Sequence, residues 1–141
     1  MKQTVLLSIT GRQVYLNQEP EIIELVTEGI MYPEGDGWNL CYEESALTGL
    51  EGVTTTFHTE PDKITLTRTG KLNSQMVFQV GVQHDSLYQL DFGALMISVC
   101  ATKVKTALTA DGGTIDLVYG IEIEQSEAGT IEYHLDVRSK E

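Results

Sequence analysis

Two charged residues share a parity with apolar ones in this sequence. Trp38, Leu40, Tyr42 and Glu44 alternate onto one face of a β-prone run, as do Ile64, Leu66 and Arg68. Glu44 and Arg68 are therefore expected at the interior or rim of the fold, where an unpaired charge is costly and an arginine fork can hold a carboxylate bidentately. Three readings stay open. The two form an ion pair near one mouth and fix strand register, or Arg68 offers its guanidinium to an anionic group on a bound ligand, or one or both reach solvent at a strand end.

Aromatic residues follow the same parity. Trp38, Tyr42, Phe57, Phe78, Tyr88, Phe92, Tyr119 and Tyr133 all fall on positions assigned to the inside. Such bulk either fills the interior or lines a small pocket, for which Trp38, Tyr42, Tyr88 and Tyr119 are the candidate walls. Phenol hydroxyls and an indole N–H need partners that a ligand could supply. The candidate binding set is thus Arg68, Glu44, Trp38, Tyr42, Tyr88 and Tyr119.

Other chemistry is poorly represented. His58 sits on an outer parity, His84 in a polar turn and His134 between Glu132 and Asp136, so no metal site is expected, since zinc needs three or four converging ligands. Glu43 and Glu44 face opposite sides, and Glu122 and Glu124 read as a solvated face. No G-x-S-x-G is present, and Gly112-Gly113 opens a strand instead of a phosphate-binding helix. Cys41 and Cys100 read as buried free thiols. No catalytic residue and no cofactor is expected, and the chain reads as a non-enzyme.

The elements that must position these residues are strands. Lys2 to Tyr15, Glu21 to Met31, Trp38 to Glu44, Val53 to Thr59, Lys63 to Arg68, Gln75 to Val82, Tyr88 to Phe92 and Leu95 to Leu108 are β-prone. Two alternating runs around Ile115 to Ile123 and Ile131 to Val137 form a hairpin across Ser126-Glu127-Ala128-Gly129. The breaks carry turn residues: Gln18-Glu19-Pro20, Pro33 to Gly37, Glu60-Pro61-Asp62, Thr69-Gly70-Lys71, Gln83 to Ser86, Gly93 and Ala110 to Gly113. Glu44 to Leu50 is the one candidate helical turn. Short connections without a long crossover favour a meander barrel of eight to ten antiparallel strands over a sandwich.

Composition sets outer bounds. The 141 residues, read as one domain over 1–141, suffice for a core without staples. With 21 acidic and 9 basic residues the formal charge is −12, a field that repels nucleic acid and anionic lipid. The start runs straight into an alternating segment and nothing resembles a signal peptide or a spanning helix, so a soluble cytoplasmic protein is expected. Thr54-Thr55-Thr56 with Thr65 and Thr67 suggests a flat outer patch that could pair with a second copy, or ordinary β-propensity on a solvated face.

Several short patterns recur in order along the chain. They are Leu40-x-Tyr42-x-Glu44, Thr55, Ile64-x-Leu66-x-Arg68-x-Gly70, Met76-x-Phe78-x-x-Gly81, Tyr88-x-x-x-Phe92-Gly93-x-Leu95, Thr102 and Gly113-x-Ile115-x-Leu117-x-Tyr119. In this the sequence resembles the YwiB-like family of small bacterial proteins. The resemblance implies a calycin or lipocalin-like barrel of unknown function, and brings no catalytic residues with it. The expectation is a barrel binding a small amphipathic or anionic ligand in its lumen. The rival is a structural or interaction protein with a plugged barrel, alone or as a homodimer.

Overall fold

The computed structural model describes residues 2–15, 18–45, 50–90, 93–124 and 126–140, with the side chains of 88–90 and 127 outside that description. Its strands are β1 (Gln3–Tyr15), β2 (Glu21–Glu34), β3 (Gly37–Glu43), β4 (Val53–Glu60), β5 (Lys63–Gly70), β6 (Ser74–Phe78), β7 (Gln83–Leu90), β8 (Gly93–Thr109), β9 (Gly112–Ile123) and β10 (Ser126–Ser139). They form one antiparallel sheet in the order β6-β5-β4-β3-β2-β1-β10-β9-β8-β7. Consecutive strands are neighbours everywhere except at β6 and β7, and β1 pairs β10 along eleven residues from Val5↔Ser139 to Tyr15↔Gly129. The result is a nearly closed meander barrel whose seam lies between two strands adjacent in sequence.

Alternation decides which side chains enter. Val5, Leu7 and Ile9 on β1, Leu40 and Tyr42 on β3, Phe57 on β4, Ile64 and Leu66 on β5, and Ile115, Leu117 and Tyr119 on β9 are buried. Each fully buried aliphatic side chain contributes roughly 1.5–3 kcal/mol. On β8 the inward parity changes: Ile97, Val99 and Ala101 point in, a bulge follows between Ala101 and Lys103, and Val104 then faces Leu117. One extra residue lets a long strand keep an apolar face inward while the barrel bends.

Two turns differ from the sequence reading. The polar run Gln83 to Ser86 is the start of β7, not a turn, and the chain reverses at Val80-Gly81 instead. Gly81 there has φ of 78°, a left-handed conformation that glycine adopts without a Cβ clash. In the last hairpin, Glu124 takes the positive φ and β10 already begins at Ser126, with a bulge between Glu127 and Gly129. The proposed helical turn at Glu44 to Leu50 lies largely outside the described residues.

The seam has a physical cause. Across the turn, Gln79 bridges Val82, and continuing that register would set Gln75 opposite Ser86 and Met76 opposite Asp85. Yet Ser74, Met76 and Phe78 face inward with Arg68, Leu66 and Ile64, while His84 and Ser86 face inward with Val99 and Ile97. Every facing pair in the hairpin register would thus join an inward residue to an outward one, and a ladder there would turn one strand inside out. Pairing stops after the single bridge. The Ser86 hydroxyl donates to the Gln75 carbonyl across the gap in place of a backbone bond.

Candidate functional site

One half of the barrel is filled and the other is not. Toward the β2–β3 and β4–β5 turns, Val5, Met31, Leu40, Ile64, Phe78, Ile115 and Leu135 are fully buried and pack without interruption. Toward the opposite mouth lies a cavity of about 260 Å³, reached by Ile9, Gly11, Gln13 and Tyr15 of β1, Ile23 and Leu25 of β2, and Tyr42, Glu44, Leu50, Arg68 and Met76. Tyr119, Ile121, Ile131 and Tyr133 complete its wall.

The polar end is built by strand register. Tyr42 faces Thr55 across β3 and β4, Thr55 faces Arg68 across β4 and β5, and Arg68 faces Ser74 across β5 and β6, so these side chains form one inward row. Glu44 follows β3 and is fixed by its backbone N–H, which donates to the Val53 carbonyl at 2.9 Å. The residue is 7% exposed, and its carboxylate accepts the Thr55 hydroxyl at 2.5 Å. The Tyr42 hydroxyl also donates to it. Buried carboxylates need such donors, and charge-assisted bonds of this kind are short.

The tyrosines answer to this environment. Burial pushes Tyr42 far above the ordinary phenol range, the Glu44 and Tyr133 oxygens push it further, and the Arg68 guanidinium opposes them. Tyr15 is also raised, first by burial and then by Tyr133 and Glu21. Tyr15, Tyr42 and Tyr133 all border the same cavity. The Tyr15 hydroxyl donates to Gln13 Oε1 at 3.4 Å. Tyr119 stacks near Tyr133 with centroids 6.5 Å apart and tilts against Phe78 at 4.5 Å. Gly11 lies opposite Tyr133 in the β1–β10 register, and a Cβ there would stand 3.2 Å from the ring, so the missing side chain is what seats the aromatic.

Four of the six candidate residues come together here: Arg68, Glu44, Tyr42 and Tyr119 all border the cavity. Trp38 does not. It sits four residues along β3 from Tyr42, about 13 Å at the strand rise, where it exchanges hydrogen bonds with Thr59 at the filled end. Tyr88 lies in β7 opposite Leu95, with its side chain outside the described residues. Sequence reasoning left out Gln13, Tyr15 and Tyr133 as walls. Tyr133 was on the inward parity, and Tyr15 continues the Val5, Leu7, Ile9 alternation, which Gly11 and Gln13 make harder to see.

Away from the tyrosine-lined cavity the three histidines are locally paired. His58 meets Asn39 at 2.6 Å, His84 meets Gln79 at 3.1 Å from an inward position on β7, and His134 meets Asp116 at 2.6 Å. Among the described residues no three ligand-type groups gather as a metal site. Cys41 and Cys100 are half-buried on the outer wall, not in the core, because their neighbours Leu40, Tyr42, Val99 and Ala101 take the inward parity. Thr55 likewise departs from the outer threonine patch: it is fully buried and faces the lumen, while Thr54, Thr56, Thr65 and Thr67 stay half-buried outside.

Among the described residues, no helix is long and apolar enough to cross a membrane. The fold is similar to that of the crystal structure of the ywiB protein from Bacillus subtilis, with a TM-score of 0.81 over 96% of this chain and 92% of that one, at 18% identity. No curated protein matches the sequence. The model of DUF1934, described as a domain of unknown function, matches residues 7–135 in the strands that build the lumen and its polar end. By that match the chain belongs to the DUF1934 family.

Proposed function

We propose that this protein binds a small amphipathic or anionic molecule in the tyrosine-lined half of its barrel. One observation carries the reading: a guanidinium and a carboxylate, both inward-facing, share a cavity with four phenols while the other half of the same lumen is packed with apolar side chains. A purely structural interior gains nothing from desolvating those groups, since apolar side chains of similar volume stabilise as well or better. Ligand recognition does use them, because a few convergent polar groups in an apolar cavity fix orientation.

Native mass spectrometry of the gently purified protein, together with thermal melts in p-toluenesulfonate as a small amphipathic anion, tests this. The expected result is a bound small molecule or a raised melting temperature, lost in Arg68→Met. A bare mass and an unmoved melt in the folded wild-type protein would rule the reading out.

A second reading has its own support. Ile22, Val26 and Ile30 form an outward row on β2 and are 62%, 65% and 38% exposed. Such a row favours a protein contact on the outer wall. Sedimentation that shows one strict monomer at micromolar concentration counts against self-association there.

A further inference from the structure

The groups at the polar end of the cavity restrict the charge of an occupant. Glu44 and Arg68 sum to zero formal charge, and the surrounding chain carries −12. Glu44 already accepts the hydroxyls of Thr55 and Tyr42, so a cationic ligand would meet an acid that two donors partly satisfy. Arg68 has five N–H donors and can serve more than one acceptor at once. Tyr15 and Tyr133 add phenol hydroxyls to the wall of the same cavity. Donors of this kind select an anion.

How much negative charge the site accepts follows from its neighbours. A phosphate monoester brings nearly two charges at neutral pH beside a buried carboxylate, within an already acidic molecule. A carboxylate brings one, and its planar pair of oxygens matches the guanidinium fork. Size adds a second constraint. At about 260 Å³ the cavity falls below the usual range for drug-sized ligands and holds roughly nine water-sized groups. Ile9, Leu25, Ile121 and Ile131 give it an apolar body, and Gly11 lets the Tyr133 ring lie flat against the wall.

From these features we infer that the ligand is a small monocarboxylate, its head against Arg68 and the phenols and its body a single ring or a short branched chain. The inference rests on the lumenal reading above and narrows it to one chemical class.

Isothermal titration of the full chain with phenylacetate, phenyl phosphate, phenethylamine and hexadecanoate tests it. Phenylacetate is expected to bind at least ten-fold more tightly than the phosphate or the amine, and hexadecanoate not to enter. Arg68→Lys, which keeps the charge but loses the fork, should weaken phenylacetate at least ten-fold. The four-ligand series needs only the wild-type protein, so it stands even if the variant folds poorly. Tighter binding of the phosphate, the amine or the long chain overturns the monocarboxylate inference and leaves lumenal binding intact. Failure of all four ligands overturns the inference as well, and a bare native mass would then remove the lumenal reading with it.

Discussion

Thr55 shows how one hydroxyl can decide the state of a buried acid. It is 0% exposed, lies between Tyr42 and Arg68 in the inward row, and donates to Glu44 at 2.5 Å. Thr55→Val keeps the volume and removes the donor, so it should destabilise the fold by about 1–3 kcal/mol in urea unfolding. Tyr42 makes a prediction in pH. Its folded pKa is raised above the ordinary 10.0, so the folded state holds a proton that the unfolded chain releases. That contribution is complete below pH 10 and declines as pH rises above it, at up to about 1.4 kcal/mol per pH unit. Tyr42→Phe should flatten the loss of stability between pH 10 and 11, measured by denaturant melts; an unchanged slope would place the phenol in solvent. Glu44 and Arg68 were legible from sequence because the first falls in step with three apolar neighbours and the second with two. The donor to Glu44 was not, since Thr55 sits in a run of three threonines where β-propensity and function look alike.

At the level of strands, parity was readable wherever alternation ran unbroken, as along β9 and β10. It failed where one residue changes the phase. The apolar stretch Gln75 to Val82 reads as a continuous strand, yet Gly81 reverses the chain and Gln83 to Ser86, polar enough to pass for a turn, pairs with Ile97 to Cys100 on β8. Gln83 and Ser98 also hold Asp85 below the usual carboxylate range through their hydrogen bonds, Ser98 first, which shows that this polarity serves a strand surface. The register conflict at the seam leads to a direct prediction. One glycine inserted after Gly81, with the two-residue loop kept so that the new glycine faces Gln79, shifts β7 by one residue and sets inward Met76 opposite inward His84. Hydrogen exchange should show the Gln75 and Val77 amides unprotected in the wild-type chain and protected in the insertion variant, with a higher melting temperature. A variant that is less stable and equally unprotected would show that something other than phase keeps the seam open.

For the whole molecule, the order of turns and strands was enough to choose a barrel over a sandwich, because a meander with short links brings each strand beside the next. What the order of strands does not reveal is how the lumen is divided. Filled and open halves use the same alternation and differ only in side-chain size along each strand: Met31, Phe78 and Ile115 at one end, Gly11, Gln13 and Ile23 at the other. Trp38 and Tyr42 share a face and still belong to different halves. The open half of the lumen is therefore where a small anion should lodge. Tyrosine and tryptophan side-chain NMR signals, followed while phenylacetate is added, discriminate directly. Tyr42, Tyr119 and Tyr133 should shift in a saturable way, while Tyr32 on the outer wall under Lys2 and Trp38 at the packed end stay in place. Shifts confined to Tyr32 or Trp38, or none at millimolar ligand, would contradict a binding site in the lumen.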